Sequence, residues 1–381
     1  MSKTTKKRLI NLEKYIQNKW GEHYWNFITK FEDRLDWNIL SINGNITPIV
    51  IEKYPDKPWS WRRMSSNLNL NIEIIEKYPD KPWNWIDISC NSNITMEMIE
   101  NNFDRPWVWE DVSHNPNLTM EMIEKYPDKD WDWFYISGNL NIDMETFVKY
   151  QYRYWNWCGM SLNLNLNIEI IEKYPDKPWN WIDISCNPNI TMEMIENNFD
   201  KPWIWEDVSH NPNLTMEMIE KYPDKPWTWR YISENPNITM EIIEKYPDKP
   251  WNWRNISNNS NITIEMIEKY PDKNWDWSWI SRNPGITMEI IEKYPDKPWY
   301  WNGISRNPNL TVEFIEKHQD KPWSWGEISR NKFTKEKELF YQKYYRIYMA
   351  TFRLQQYFNR MYDNPKYLFC RNRLDKLFSE M

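Results

Sequence analysis

Alanine occurs once in this chain of 381 residues, at Ala350, and glycine only seven times. So few glycines leave no Gly-rich loop to cradle a phosphate. The four cysteines (Cys90, Cys158, Cys186, Cys370) show neither CxxC spacing nor a dense framework, which argues against zinc ribbons and disulfides. No apolar run is long enough for a signal peptide or a membrane span. The expected location is therefore the cytoplasm, without membrane contact. The four histidines are scattered, and His114 and His210 are the same position of two copies of one repeated block. An active site needs unlike groups converging at one place, whereas this chain repeats the same groups throughout. No enzyme activity is expected: no catalytic residue, no cofactor and no metal site. A net charge of -7 argues against a nucleic-acid backbone as the main partner.

Tryptophan, by contrast, occurs 28 times. Pairs of the form W-x-W dominate, and their second member falls at Trp37, Trp61, Trp85, Trp109, Trp133, Trp157, Trp181, Trp205, Trp229, Trp253, Trp277, Trp301 and Trp325, always 24 residues apart. The first member is present in every copy but one, where Leu35 replaces it. Ser recurs four residues after the second Trp (Ser41 to Ser329) and Asn six after (Asn43 to Asn331). A fixed period of this length without insertions is the signature of a solenoid. Residues 67–133 match residues 163–229 at all but five positions, so a segment of nearly three repeats recurs at an offset of four.

One repeat, Asn117–Trp133 (NLTMEMIEKYPDKDWDW), reads as helix–turn–helix–turn. Thr119 is an N-cap, as are Thr47, Asn71, Thr95, Asp143 and Asn167 at the same position, because a short side-chain oxygen accepts from free N–H groups of the first turn. This capping role also accounts for the eight N-[IL]-T triplets between Asn45 and Asn309, which otherwise read as glycosylation sequons. Glu121 suits the helix dipole, Met120, Ile123 and Tyr126 recur at helical spacing, and Pro127 ends the helix. Asp128 is a second candidate N-cap, opening a second helix that carries Trp85 and Ile88 on one face in its homologous copy. Ser89 and Asn91 close that helix, with Asn accepting a left-handed end. Two-turn helices do not survive alone in water, so each repeat needs a neighbour on both sides, and the tryptophans read as core. The second Trp of each pair is the firmer core residue; the first is the better candidate to line a groove. At Tyr150–Tyr154, QYRY replaces PDKP, which marks a bend.

The predicted fold class is therefore all-α: a right-handed-type αα solenoid of twelve to thirteen helix-turn-helix repeats with helical N- and C-terminal caps. Residues 1–36 carry +3, residues 331–381 carry +6, and 37–330 hold the remaining -16, giving a basic helical N-terminal cap, an acidic solenoid and a basic helical C-terminal cap. The run KELFYQKYYRIYMATFRLQQYFNRMY reads as one long helix, broken at Asp363-Asn364-Pro365 before a short final one. Arg353-Leu354-Gln355 with Arg360 resembles a calmodulin-binding IQ motif, but Asn359 stands where its basic residue belongs; the bland reading is an amphipathic capping helix.

The two residues after the second Trp vary from copy to copy. Candidate partner-binding residues are Arg62, Arg63, Glu110, Asp111, Phe134, Tyr135, Arg230, Tyr231, Arg254 and Trp279. Variable positions on a constant frame are how solenoids present binding surface, and aromatics there favour contact; neutral drift at exposed sites would give the same variability.

The pattern W-x-W-x-x-I-S-x-N-P-N-I-T, whole at Trp179–Thr191, resembles tandem-repeat proteins of giant DNA viruses, the mimivirus-like group, across residues 37–330. The end of the chain, with Asp363–Tyr367 and Arg371-Asn-Arg-Leu, is similar too. The resemblance implies a repeat protein and brings no catalytic residue. Together these readings point to a scaffold or adaptor binding a protein partner, host-directed if the resemblance holds. The alternatives are a modular single-stranded nucleic-acid reader with two side chains per base, and a structural component of a viral particle.

Overall fold

The computed structural model of the protein describes residues 3–363. Every regular element among them is helical, with no strand. A long N-terminal helix (Lys3–Lys30) and a long C-terminal helix (Thr334–Asp363) flank an α-solenoid of paired helices four to six residues long. The final break and short helix expected after Asp363, the Asp363–Tyr367 and Arg371–Leu374 segments, and Cys370 lie outside the described residues or at their edge, as do the side chains of Gln355, Asn359 and Arg360.

The first helix of each repeat forms where expected. In Met120–Lys125, Thr119 Oγ1 accepts from the Met122 amide at 3.4 Å; Asn71 and Asp143 cap their helices in the same way, at 3.1 and 2.7 Å. The second helix starts later than the sequence suggested. It begins at the second Trp itself, as in Trp133–Gly138, with Asp132 as N-cap accepting from Phe134. The Tyr-Pro-Asp-Lys segment is instead a tight turn, closed by Lys129 N–H to Tyr126 O and Trp131 N–H to Lys129 O. The QYRY variant makes the same turn, with Arg153 N–H to Tyr150 O and Trp155 N–H to Arg153 O both at 2.9 Å, so it marks no bend.

The Asn that ends each second helix is not left-handed. Asn187, for example, sits at φ -64°, ψ 125°. It is held there because its side chain has other work: Oδ1 accepts from the Asn189 amide at 2.9 Å, while Nδ2 donates to Ser161 O and Asn163 O of the preceding copy at 3.1 and 3.0 Å. The conserved Ser is equally occupied. Ser161 Oγ donates to Trp157 O and accepts the Asn180 amide of the next copy at 2.9 Å. Both side chains are buried, and both link neighbours through backbone groups that would otherwise lack partners.

The tryptophans divide labour in the reverse of the expected order. Seven of the twelve first members are buried (Trp59, Trp107, Trp155, Trp179, Trp203, Trp251 and Trp323), whereas of the second members only Trp61 is; the rest of both sets are half-buried. The cause is a hydrogen bond. Trp179 Nε1 donates at 2.9 Å to Tyr174 O, the carbonyl ending the first helix, which pulls the indole between the layers. The second Trp meets the first Trp of the next copy edge-to-face, as in Trp157–Trp179 at 4.8 Å and 82°. Such a contact adds roughly 0.5–1.5 kcal/mol beyond burial, and it recurs along the array.

The array closes on itself. Asn43 Nδ2, in the first copy, donates to Ser329 O at 2.8 Å and Asn331 O at 3.1 Å in the last, reproducing the bonds of Asn67 to Ser41 O and Asn43 O at 2.9 and 3.1 Å. The Asp36 amide donates to Ser329 Oγ at 2.8 Å just as the Ser60 amide donates to Ser41 Oγ at 2.9 Å. Asn45 reaches Lys332 O at 3.1 Å. Thirteen copies thus form a ring. The end of the N-terminal helix supplies the outer helix missing before Trp37: Lys30 pairs with Glu316 at 2.5 Å, and Trp25 stacks on Tyr54 at 4.0 Å. Phe31 meets Trp325 at 5.1 Å, and Leu35, at the position where other copies have the first Trp, is buried. Phe333, at φ 49°, turns into the junction and is fully buried against Tyr24 and Phe27. The two terminal helices then pack together across the seam through Trp20–Phe340, Tyr15–Tyr344 and His23–Glu336 at 2.7 Å.

Candidate functional site

Two tiers make up the ring, and their spacing identifies which is inside. Most consecutive second helices pack directly on one another, including the pair that joins the first and last copies. First helices within the array stand further apart and are bridged by long side chains: Lys125–Glu100 at 2.6 Å, Lys221–Glu196 at 2.9 Å and Lys317–Glu292 at 2.8 Å, each across one repeat. In a closed ring the tightly spaced tier is the inner one. The second helices therefore form the inner wall, and their faces turned away from the first helices line the opening.

Second-helix geometry decides which side chains those are. Counting from the second Trp, positions three and four on (Ile88, Ser89) point into the core and are fully buried. Positions one, two and five on face the opening. Arg62, Arg63, Glu110, Phe134, Tyr135, Arg230 and Arg254 are exposed there, and Asp111, Tyr231 and Trp279 are half-buried. The expected residues thus share one wall. What the sequence reading missed is position five (Cys90, His114, Leu162, His210, Arg282, Arg306, Arg330), three residues beyond position two and hence beside it on a helix. These side chains cover the candidates. His114 stacks on Tyr135 of the next copy at 4.4 Å and 12°, His210 on Tyr231 at 4.9 Å and 5°, and Arg282 lies 3.4 Å over Trp279.

Charge around the wall is polarised. Asp87, Glu110, Asp111, Asp183, Glu206 and Asp207 fall in one half, on either side of the copies beginning at Trp133 and Trp157. Arg230, Arg254, Arg282, Arg306, Arg330, Arg62 and Arg63 fall in the other, tempered by Glu234 and Glu327. The basic half is partly paired, Arg254 with Asp276 at 3.0 Å and Arg306 with Glu327 at 2.7 Å. In the acidic half, burial raises the carboxyls of Asp111, Asp183 and Asp207, with a further rise from the acidic neighbours Asp87, Asp207 and Glu206 respectively. Burial also raises the thiols of Cys90 and Cys186, helped by the same aspartates, so they stay protonated at neutral pH.

A concavity of about 640 Å³ on this wall runs from Ser66 to Leu162 and is floored where copies five and six carry Gly138 and Gly159. A Cβ at Gly159 would collide with Phe134 O of the preceding copy, and the second helices beginning at Trp133 and Trp157 are accordingly among the most intimately packed. Phe134 and Tyr135 (each 39 % exposed), Leu140 and Leu162 stand around it. Among the described residues no group of three or more His, Cys, Asp or Glu is arranged to hold a metal ion, and no helix is long and apolar enough to cross a membrane. Comparison with protein-family models, curated proteins and solved structures found no match to this chain.

Proposed function

We propose that this protein is a non-catalytic ring that holds a protein partner through the inner wall of its second helices. One observation carries the reading: the positions that vary between copies converge on a single continuous wall, while the repeated Trp, Ile, Ser and Asn are consumed in the frame. Helices at a spacing of about 9 Å, thirteen to a ring, leave an opening roughly 25–30 Å across once inward side chains are subtracted. That accommodates a helix or an extended segment. Positions one, two and five carry seven Arg against eight Asp and Glu, and the Arg-bearing half is itself interrupted by Glu234 and Glu327 and partly paired with Asp276 and Glu327, which favours a polypeptide over a single-stranded nucleic acid. The resemblance to giant-virus repeat proteins would make the partner a host protein.

The test is recovery of the tagged full-length chain from lysate with and without nuclease. A protein retained in stoichiometric amount after nuclease, and lost from variants with Phe134→Glu or Arg306→Glu on the wall, supports the reading. Recovery of nucleic acid alone, abolished by nuclease, overturns it.

A further inference from the structure

The copies beginning at Trp133 and Trp157 are the one adjacent pair on the wall without a charge at positions one, two and five; the copy beginning at Trp37 (Asn38, Ile39, Ile42) is uncharged too but stands alone. The pair lies between the two copies of the duplicated segment, with Phe134, Tyr135 and Gly138 at these positions in one and Cys158, Gly159 and Leu162 in the other. Gly138 and Gly159 line the 640 Å³ groove, Gly159 letting its helix close onto Phe134 O, and the aromatic and leucine side chains around it remain exposed. A contiguous apolar surface of this kind, rimmed by polar residues, marks a contact site.

Duplication sets the flanks. On one side stand Asp111, one copy away, and Asp87, two away; on the other stand Asp183 and Asp207 at the same steps. We infer that the groove takes one or two large apolar side chains of an extended segment in a protein partner, with Lys or Arg on both sides of that anchor. This rests on the proposed function and names the partner's chemistry. Copies about 9 Å apart and an extended chain rising about 3.3 Å per residue place the basic residues roughly three and six positions from the anchor in each direction. The acidic flanks favour such a segment twice over. They attract it, and its charges offset the burial, and behind it the repulsion from Asp207 and Glu206 respectively, that hold Asp183 and Asp207 above the usual carboxylate range.

The experiment is selection of random peptides of about fifteen residues, displayed on phage, against the full-length chain at moderate salt. The expected winners carry Phe, Leu or Trp near the middle and Lys or Arg on both sides, and the best of them loses at least tenfold in affinity on Phe134→Glu, on Leu162→Lys and on the pair Asp111→Lys with Asp207→Lys. Each variant is checked for an unchanged far-UV spectrum; the sites are exposed or half-buried, and any one that folds suffices. Acidic winners, or winners without an apolar anchor, overturn the inference. Winners insensitive to these variants but weakened by Arg306→Glu overturn it while leaving the ring as a binder, and insensitivity to both sets removes both readings. Winners that reproduce Lys366–Phe378 of this chain would assign the groove to its own tail and overturn the choice of a separate partner.

Discussion

Closure of the ring makes a quantitative claim about one asparagine. Asn187 sits mid-array, buried, with Nδ2 donating to two carbonyls of the preceding copy and Oδ1 accepting from Asn189. Asn43 has the equivalent set across the seam: Ser329 O, Asn331 O and the Asn45 amide. Replacing Asn187 by Ala removes three hydrogen bonds, and replacing Asn43 removes the same three with a longer one to Tyr24 Oη at 3.3 Å. Either leaves buried backbone groups unpaired, at a net cost of about 1 kcal/mol per bond, so about 3 kcal/mol in total. In an open solenoid the end copy frays, and its contacts contribute little to the global transition. In a closed ring the two substitutions must cost the same within about 1 kcal/mol. Urea unfolding of Asn43→Ala and Asn187→Ala, followed by far-UV circular dichroism, makes the comparison. Small-angle scattering on Asn43→Ala reads whether the seam opens. A loss near 3 kcal/mol for Asn187→Ala with less than 1 kcal/mol for Asn43→Ala would refute closure.

Four further outcomes follow from the same geometry. Trp179→Phe removes the hydrogen bond to Tyr174 O and alters the edge contact with Trp157, and should cost about 1–2 kcal/mol in the same unfolding assay, more than Tyr154→Ser at a fully exposed turn. Gly159→Ala drives a methyl into Phe134 O and should destabilise by about 1–3 kcal/mol, whereas Gly44→Ala meets nothing within 4 Å and should be neutral or slightly stabilising. For Asp111, Asp183 and Asp207 the folded protein holds the carboxyl proton to higher pH than the unfolded chain does. Their contribution is therefore most favourable below the ordinary carboxylate pKa and is lost as pH rises through the raised values. The triple Asp→Asn variant should accordingly gain melting temperature relative to the parent between acid and neutral pH, and an unchanged difference across pH would contradict that sign. Glu292 runs the other way: hydrogen bonds from Lys317 and His318 hold it low, so its contribution is present near neutral pH and lost on acidification through the lowered value. Glu292→Gln should flatten that acid loss in the melting profile.

Much of the frame was legible in the sequence because the repeat makes every copy report the same local rules. The 24-residue period, the Thr, Asn and Asp caps, the two-helix unit and the long C-terminal helix all follow from residue type and spacing. These are local decisions: a cap acts over three residues and a helical stripe over one turn. The second helix was placed too early because Asp128 satisfies the same local rule as Asp132, and only packing of the Tyr-Pro-Asp-Lys turn decides between them. The rank of the two tryptophans was inverted for a similar reason, since the carbonyl that captures the first indole is available only once the first helix has ended above it.

Positions one and two of the wall could be found by their variation; position five could not, because its neighbour His114–Tyr135 or Arg282–Trp279 is set by how copies stack or how a side chain folds back. The sequence alone determined that a 24-residue unit recurs twelve to thirteen times, that none is stable by itself, and that Ser and Asn recur at fixed places. That those Ser and Asn side chains are buried links between copies, that the inner tier is the second helices, and that Asn43 meets Ser329 to close the ring were decided by tertiary structure. The physical reason is that closure depends on the small rotation between neighbouring copies. Packing between the tiers sets that angle, and an error of a few degrees per copy, summed around the array, separates a ring from an open superhelix.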